Sequence, residues 1–203
     1  MSFNRFLEKT IQKSQHCNRN WDLTKQISAE DLETMKVSVT QCGSKQNRVF
    51  YKVLFTQDRE KIEKIHDLTD GFMYNFKEQL STTNSQVLAN TLFAFVRDRD
   101  KHSQTRTYEE WTSGGNRTEK DEDRSLGIAA GYLTLTANLL GYDTGCCQCM
   151  HGAGVAEILG VEEEVLLLMG IGYRDKTRSR LEHHKNPDFK FKTFSKEIIF
   201  EQV

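Results

Sequence analysis

The first apolar residues of the chain recur at helical spacing. They stand at positions i, i+3, i+4 and i+8, which predicts an amphipathic helix; these residues are Phe3, Phe6, Leu7 and Ile11. After a polar stretch, Ser28 begins a sequence close to a capping box, although Asp31 stands where glutamate is usual. The apolar residues that follow share one face of a second predicted helix: Leu32, Met35 and Val39.

Three runs of β-branched, aromatic or aliphatic residues predict strands. Residues 49–55 have the composition of a strand that is buried on most of its surface, and residues 91–96 form the second run. Residues 164–172 predict a core strand that leads into a glycine turn. Before that strand, residues 152–159 predict a short helix that Gly160 ends.

Two stretches with polar character lie next to these strands. Asp58 can cap a helix that turns Ile62, Ile65 and the pair at 68–69 inward.

Residues 97–120 are strongly polar, which predicts a long excursion over the surface of the kind that is usually functional or mobile.

The segment 123–141 predicts a helix with apolar residues on every side. One stripe consists of Leu126, Ala129, Ala130, Leu133, Ala137 and Leu140. Other faces carry Ile128, Tyr132, Leu135 and Leu139, and Gly141 stands where a helix-ending glycine is expected. A helix that is apolar all round is buried all round, so we expect this one to pack on its own sheet and on a partner subunit.

The order of these elements predicts an α+β fold, because helices and strands mix without regular alternation. We expect one domain over residues 1–203. The tail at 196–201 has strand composition and lies about 25 residues past the last core strand, far enough at ~3.3 Å per extended residue to reach another subunit.

Charge and composition exclude several classes of protein. The 28 Lys and Arg residues against 29 Asp and Glu argue against a generally basic nucleic-acid binder, and 12 Phe argue against simple disorder. No run approaches the ~18 apolar residues of a membrane span, and the polar start lacks the apolar region of a signal peptide. The sequence therefore predicts a cytoplasmic protein that binds neither nucleic acid nor membrane.

Three of the five cysteines are crowded at positions 146, 147 and 149, followed by His151. A metal site is one interpretation, but adjacent residues of an extended chain point to opposite faces, and the second ligand pair of zinc or iron–sulfur sites is missing. A redox disulfide between Cys146 and Cys149 is another interpretation, without the usual βαβ context. The third is that the thiols are small buried apolar groups, and we predict no metal.

Other catalytic patterns are absent from the sequence. The Gly-x-Gly sequences at 152–154 and 170–172 lack the remaining glycine of a dinucleotide fingerprint, and no nucleophile elbow supports serine catalysis. His183 and His184 have no ligand partner at metal spacing, which favours surface residues.

Polar donors are concentrated in three places instead. Arg19 lies in a polar stretch, residues 40–47 form a dense polar turn before a strand, and Lys176, Arg178 and Arg180 follow the last core strand. Such donors at the mouth of a strand suit a polar planar ligand with a phosphate tail. The alternative is that they are ordinary turns and a solvated basic segment.

The order of these segments resembles the FMN-dependent nitroreductase-like oxidoreductase family. That family opens with an amphipathic helix and an Arg-Arg-Ser-x-Arg-x-Phe type motif, whose place residues 15–21 take, with Cys17 at the serine position and Arg19 at the later arginine. Its Pro-Ser-x-x-Asn-x-Gln-Pro-Trp turn corresponds to residues 40–47. The donors in that turn are Ser44, Lys45, Gln46 and Asn47, a variant that resembles a divergent, phage-like branch.

The resemblance continues through the second half of the chain. Asn84 and Gln86 stand where the family contacts the pyrimidine end of the flavin ring. The helix at 123–141 corresponds to the family's dimer-core helix. The loop that lies along the flavin corresponds to Cys146, Cys147, Gln148 and Cys149, with the Gln148 N–H near flavin N5. Arg178 and Arg180 follow the last strand, where the family binds phosphate.

The resemblance implies a nitroreductase-like fold with a central mixed sheet and a C-terminal strand exchanged in a homodimer. It also implies FMN in a groove between the subunits, anchored at its phosphate by Arg19 with Arg178 or Arg180. NADH or NADPH would then reduce the flavin at N5, and a small nitro or quinone-like acceptor would reoxidise it in a ping-pong cycle without a catalytic side chain. The alternative is a protein of the same fold without catalysis, either a flavin- or nucleotide-binding protein or an interaction protein.

Overall fold

The computed structural model describes residues 2–71, 82–98, 117–193 and 195–202, without the side chains of residues 46, 117 and 118. This part of the chain contains five α-helices and four strands. In chain order they are α1 (Phe3–Ser14), α2 (Ala29–Thr40), β1 (Tyr51–Thr56), α3 (Arg59–Asp67), β2 (Thr91–Arg97), α4 (Arg117–Leu139), β3 (Asp143–Cys147), α5 (Gly152–Leu159) and β4 (Val165–Gly172).

The four strands form one sheet in the order β1-β2-β4-β3. Tyr51 pairs with Arg97 at one end of β2, and Thr91 pairs with Ile171 at the other. All three described pairings are antiparallel. The α+β class is confirmed, whereas the expectation of a mixed sheet is wrong for the described strands.

Helices cover both faces of the sheet, so its central strand is buried on both sides. Phe93 and Phe95 of β2 pack with α2 and α4 on one face, while Leu92 and Val96 pack with α3 and α5 on the other. This two-sided cover explains why the sequences of β2 and β4 are almost continuously apolar.

Strand β1 is less buried than its composition predicts. Tyr51 is buried, but the rest of the strand is half-buried and Phe55 is 43% exposed. The reason is position, because β1 has a neighbour on one side only within the described sheet. An apolar groove of about 400 Å³ lies beside it, lined in part by Val39, Val53 and Phe55.

The predicted helix ends agree closely with the structure. Ser28 Oγ accepts a hydrogen bond from the Asp31 N–H (3.1 Å), and Asp58 Oδ1 accepts from the N–H groups of Glu60 and Lys61. The predicted short helix at 152–159 is confirmed, and Gly160 follows it with φ of 71°. These ends were predictable because capping depends on local sequence.

Helix α4 has the predicted apolar stripe, and four of its six members are buried: Leu126, Ala129, Leu133 and Ala137. Gly141 follows it with φ of 96°, as expected for a helix-ending glycine. The helix begins at Arg117, six residues earlier than the apolar pattern indicates, because acidic residues such as Glu119 are favourable at a helix start but carry no periodic signal.

Two other expectations concern the chain's polar excursion and its tail. Residues 99–116 of the predicted excursion lie outside the described residues, and residues 117–120 belong to α4 rather than to a loop. The described tail at 195–202 forms no strand within its own chain, and Ile198, Ile199 and Phe200 are exposed. Exchange of this tail between subunits stays a prediction.

Two glycines let a short turn lie directly on the sheet. The turn at 85–87 is a 3-10 helix. A Cβ on Gly170 would lie 2.1 Å from the Gln86 carbonyl oxygen, and one on Gly145 would lie 2.8 Å from the Asn18 carbonyl oxygen. Only glycine permits this approach of backbone to backbone.

We expect Gly170→Ala to lower the free energy of unfolding by about 3 kcal/mol, at the upper end of ordinary overpacking costs, because the contact is with backbone. Urea unfolding followed by circular dichroism measures this change. Gly152→Ala is the control, since nothing lies within 4 Å of its added Cβ, and it should change stability by less than about 0.5 kcal/mol. Equal stabilities of the two variants would contradict the close approach.

Candidate functional site

The polar stretch after α1 meets the turn at 85–87 at one end of the sheet. The Asn18 N–H donates to the Thr144 carbonyl (2.8 Å), which joins the stretch to β3. Trp21 is buried, and its indole N–H donates to the Ser85 carbonyl (2.8 Å). Two segments far apart in the sequence are thereby fixed against each other.

Arg19, Asn84 and Gln86 form a hydrogen-bonded cluster where these segments meet. In the orientation that satisfies both ends of its amide, Gln86 accepts from Arg19 Nη2 (3.0 Å) and donates to Asn84 Oδ1 (3.1 Å). Asn84 Nδ2 also contacts Cys147 Sγ (3.2 Å). The structure therefore brings together four of the residues predicted from the sequence.

The Arg19 guanidinium is largely withdrawn from solvent. Burial lowers its pKa, with a further lowering by the nearby positive charge of Arg180, while Cys17 and Cys147 act in the opposite direction. Arg19 Nε is buried and has no hydrogen-bond partner among the described residues. A buried cationic donor without a partner is costly, so this atom is suited to a bound ligand.

The two candidate arginines after β4 have different surroundings. Arg180 Nη1 donates to the Cys17 carbonyl (3.3 Å), which places it beside Arg19. Arg178 instead donates to the carbonyls of His183 and His184 (both 3.1 Å) and pairs with Glu182 (3.4 Å). Arg178 thus holds its own loop together, and Arg180 is the better placed to contact a ligand.

The turn at 44–47 is not part of this cluster. It precedes β1, whose first residue Tyr51 pairs with Arg97 at the far end of β2, whereas the cluster lies beside the Thr91 end. Ser44 is half-buried there, Asn47 has a positive φ of 54°, and Lys45 pairs with Asp121 of α4 (2.5 Å). The side chain of Gln46 lies outside the described part of the structure.

The cysteines at the end of β3 point to opposite faces of the sheet, as predicted. Cys146 packs with the α2–α4 side and Cys147 with the α3–α5 side. Burial raises the pKa of Cys146 to about 12 and that of Cys147 to about 11. Both are neutral thiols at physiological pH, which makes them poor nucleophiles and poor metal ligands.

Cys149 differs from its neighbours because it is exposed, as is Gln148. The interpretation of all three thiols as buried apolar groups is therefore wrong for Cys149. On β3, Cys147 is buried and Cys146 is half-buried, but the strand ends at Cys147, so Cys149 already lies beyond the sheet.

We expect Cys147→Ser to lower the free energy of unfolding by about 1–2 kcal/mol, because a hydroxyl is more costly than a thiol at this buried position. Cys149→Ser should change it by less than about 0.5 kcal/mol. Thermal unfolding of both variants tests this, and rapid labelling of Cys149 alone by a thiol reagent is expected in the native protein. Equal losses of stability would contradict the different burial.

The two histidines predicted to be surface residues are not exposed. His183 is 2% exposed and contacts the Thr83 hydroxyl through Nε2 (3.1 Å). His184 Nδ1 accepts from the Trp21 N–H (3.3 Å). The prediction failed because a polar sequence neighbourhood conceals burial that arises from distant segments.

Sequence reasoning also missed three residues beside the cluster. Asn18 Oδ1 and Ser85 Oγ are buried without a partner among the described residues, and Phe191 lies against Arg19. Asn18 is next to Arg19 in the sequence and Ser85 lies between Asn84 and Gln86, and this adjacency was the available signal that they belong to the site. Nothing in the local pattern indicated Phe191.

Comparison with known proteins establishes the family. The sequence profile of the nitroreductase family matches residues 13–173. The chain belongs to the nitroreductase family. The match covers the segments that form the cluster, from Arg19 to β4, and confirms the resemblance found in the sequence.

Solved structures of nitroreductase-family proteins share the fold at low sequence identity. The protein from Bacillus subtilis named as nitroreductase ydfN has a TM-score of 0.70 and 16% identity, with 100% of each chain covered. A nitroreductase family protein of Clostridium novyi NT has a TM-score of 0.65 and 16% identity, covering 89% of this chain and 90% of its own.

A third structure, named as an NAD(P)H:FMN oxidoreductase from Staphylococcus epidermidis, has a TM-score of 0.62 and 15% identity, covering 84% of this chain and 87% of its own. No individually curated protein matches the chain. Within the part of this nitroreductase-family chain that is described, no helix combines the length and apolarity needed to cross a membrane.

Proposed function

We propose that this protein is an FMN-dependent NAD(P)H oxidoreductase that reduces a small nitro or quinone-like acceptor. The observation that carries the proposal is the cluster of Arg19, Asn84 and Gln86, in which the half-buried Arg19 has a buried Nε without a partner among the described residues. Family membership supports the class of chemistry, and the cluster supports the place where the cofactor binds.

The polar atoms around the cluster fit a flavin ring. Arg19 Nε is a donor that lacks a partner, and Asn18 Oδ1 is an acceptor that lacks one within the described residues. The pyrimidine part of a flavin offers two carbonyl acceptors and one N–H donor, so it complements both kinds of atom. The residues present therefore fit the cofactor that the family implies.

The contact between Arg19 and Gln86 changes how the cofactor should be oriented. The resemblance implies Arg19 at the phosphate and Gln86 at the pyrimidine end, but these side chains hydrogen-bond each other. Both must then face the same end of one ligand. We assign Arg19, Asn84 and Gln86 to the pyrimidine edge and Arg180 to the phosphate, where a planar guanidinium can bind bidentately.

The chain's own residues supply electrostatics rather than proton transfer. FMN, when bound, carries the redox chemistry by taking hydride from NAD(P)H and passing it to the acceptor. A fixed positive charge at Arg19, in a site shielded from water, would stabilise negative charge at the N1–O2 edge of the ring. The raised pKa values of Cys146 and Cys147 support packing roles for these thiols.

The separation of the turn at 44–47 from the cluster supports a site shared by two subunits. A seven-residue strand spans roughly 20 Å, which is the length of β2 between these two places. One chain therefore does not gather both sets of donors around one ring. A twofold dimer would bring the turn of one subunit to the cluster of the other.

Exposed apolar residues on α1 and α4 support the dimer. Phe3 and Ile11 on α1 are exposed, as are Ile128, Tyr132 and Leu139 on α4, and the two helices pack side by side. Large apolar side chains exposed on two neighbouring helices are typical of an interaction site. The face of α4 that does not contact its own sheet is the proposed centre of the interface.

The exchanged tail fits the open edge of β1. Residues 195–202 carry three exposed apolar side chains, and β1 has a free edge in the described sheet with an apolar groove beside it. Adding a strand from the partner would satisfy backbone groups at this edge and cover the groove.

Measuring the flavin content of the purified wild-type protein tests this function. We expect the visible absorption of a flavin, and release of FMN rather than FAD or riboflavin on heat denaturation. Protein that is colourless and does not bind added FMN would contradict the proposal. Protein that binds FMN but is not reduced by either nicotinamide would favour the alternative of a non-catalytic flavin binder.

A further inference from the structure

A segment that follows the family match lies over Arg19. Phe191 is 3% exposed, and Arg19 Cζ lies 4.3 Å from the centroid of its ring, as in a cation–π contact. The family profile ends at residue 173, so this contact is formed by a part of the chain outside the match.

Aromatic and backbone contacts fix the Phe191 ring. Phe189 meets it edge to face with centroids 4.8 Å apart, and His183 stacks on it at 6.1 Å. The Phe191 N–H donates to the Leu181 carbonyl (2.8 Å), and the His183 N–H donates to the Phe189 carbonyl (3.0 Å). The ring therefore has one well-defined position.

Hydrogen bonds within its own loop and to Thr83 of a distant segment hold His183 in place. Its Nδ1 accepts from the N–H groups of Lys185 (3.2 Å) and Asn186 (3.1 Å), so the neutral ring carries its proton on Nε2. That proton is directed at Thr83 Oγ1 (3.1 Å). Among these described contacts, the Thr83 hydroxyl then donates to His66 Nε2, which lies 2.7 Å away.

The relay of hydrogen bonds ends at α3. With Nε2 as acceptor, His66 carries its proton on Nδ1 and donates to Asp67 Oδ1 (2.9 Å). Burial first, and then the neighbouring His66, lower the pKa of His183 to about 4. The neutral form that this arrangement requires is therefore the stable one at physiological pH.

These contacts leave the Arg19 guanidinium one orientation. Its face rests on Phe191, its Nη2 donates to Gln86, and its buried Nε is without a partner among the described residues. We propose that Phe191 is a positioning residue, which sets the plane of the Arg19 guanidinium so that the edge with Nε meets the flavin. This inference rests on the proposed function, because it assigns the contact to the flavin site.

A double-mutant cycle tests the inference. The variants are Phe191→Leu, Arg19→Met and the two combined, and the measurement is the dissociation constant of FMN from fluorescence quenching. We expect Phe191→Leu to weaken binding about tenfold when Arg19 is present, and less than about twofold in the Arg19→Met background. Phe191→Tyr retains the ring and should stay within about twofold of wild type.

Two further measurements separate positioning from general loss of structure. The reduction potential of the bound flavin should become more negative in Phe191→Leu, because a misplaced charge stabilises the reduced ring less. The control is Phe95→Leu, which removes a buried ring of the sheet core; we expect it to lower the melting temperature and to leave the potential unchanged.

The outcomes distinguish this inference from the function on which it rests. If the wild type binds no flavin, both are overturned. The positioning role alone is overturned if the wild type binds FMN but the effects of the two substitutions are additive. It is also overturned if Phe191→Tyr binds FMN as weakly as Phe191→Leu does. Coupled effects with rescue by tyrosine support it.

Discussion

Replacing Tyr132 with aspartate is expected to dissociate the protein into monomers and to abolish FMN binding. Tyr132 is 50% exposed on the face of α4 proposed as the centre of the dimer. An unpaired charge buried in an interface costs about 3–5 kcal/mol, which corresponds to more than about a hundredfold in the dimer dissociation constant. Sedimentation velocity measures assembly, and fluorescence quenching measures FMN.

The control for this prediction is Leu23→Asp, which places the same charge at an exposed apolar residue outside α1 and α4. It should remain dimeric and bind FMN as the wild type does. A Tyr132→Asp variant that stays dimeric would contradict the interface. A monomeric variant that retains full FMN affinity would show that the site is complete within one chain.

Replacing Arg19 or Arg180 with methionine should show which end of the cofactor each arginine contacts. Removing a charge-assisted hydrogen bond costs about 1.5–3 kcal/mol, or about ten- to a hundredfold in affinity. If Arg19 faces the pyrimidine edge, Arg19→Met weakens FMN and riboflavin alike. If Arg180 faces the phosphate, Arg180→Met weakens FMN only, because riboflavin has no phosphate.

Arg178→Met is the control for this pair. Its guanidinium donates to carbonyls of its own loop, so the variant should lose stability while its preference for FMN over riboflavin stays unchanged. If Arg19→Met loses affinity for FMN but not for riboflavin, Arg19 contacts the phosphate, as the family resemblance implies. A selective loss in Arg178→Met would contradict the choice of Arg180.

Local features of the fold were predictable because their causes are local. Ser28 and Asp58 begin helices through hydrogen bonds to residues two or three positions away, and Gly141 and Gly160 end helices with positive φ. The stripe on α4 follows the helical period directly. Neither kind of signal needs information about the rest of the chain.

Features that depend on distant segments were not predictable in the same way. The composition of β1 is that of a buried strand, but its position at the edge of the sheet is decided by strand order. His183 is buried by Thr83, His66 and Phe191, which are remote from it in sequence or lie beyond a turn. Its polar sequence neighbours indicated the surface.

The candidate site was likewise predictable in part. The residue types and their order in the chain were sufficient to single out Arg19, Asn84 and Gln86. The contact of Arg19 with Gln86 depends on two glycines that let the turn at 85–87 lie against the sheet, and the place of the turn at 44–47 depends on how β1 pairs with β2. Orientation of the cofactor therefore required the structure.

The most direct test of the proposed function is anaerobic titration of the FMN-loaded protein with NADH and, separately, with NADPH. We predict that at least one of them bleaches the visible absorption of the flavin stoichiometrically. Addition of a quinone or a nitroaromatic compound should then restore it. A flavin that stays oxidised with an excess of both nicotinamides, while dithionite reduces it, would contradict the assignment as an NAD(P)H oxidoreductase.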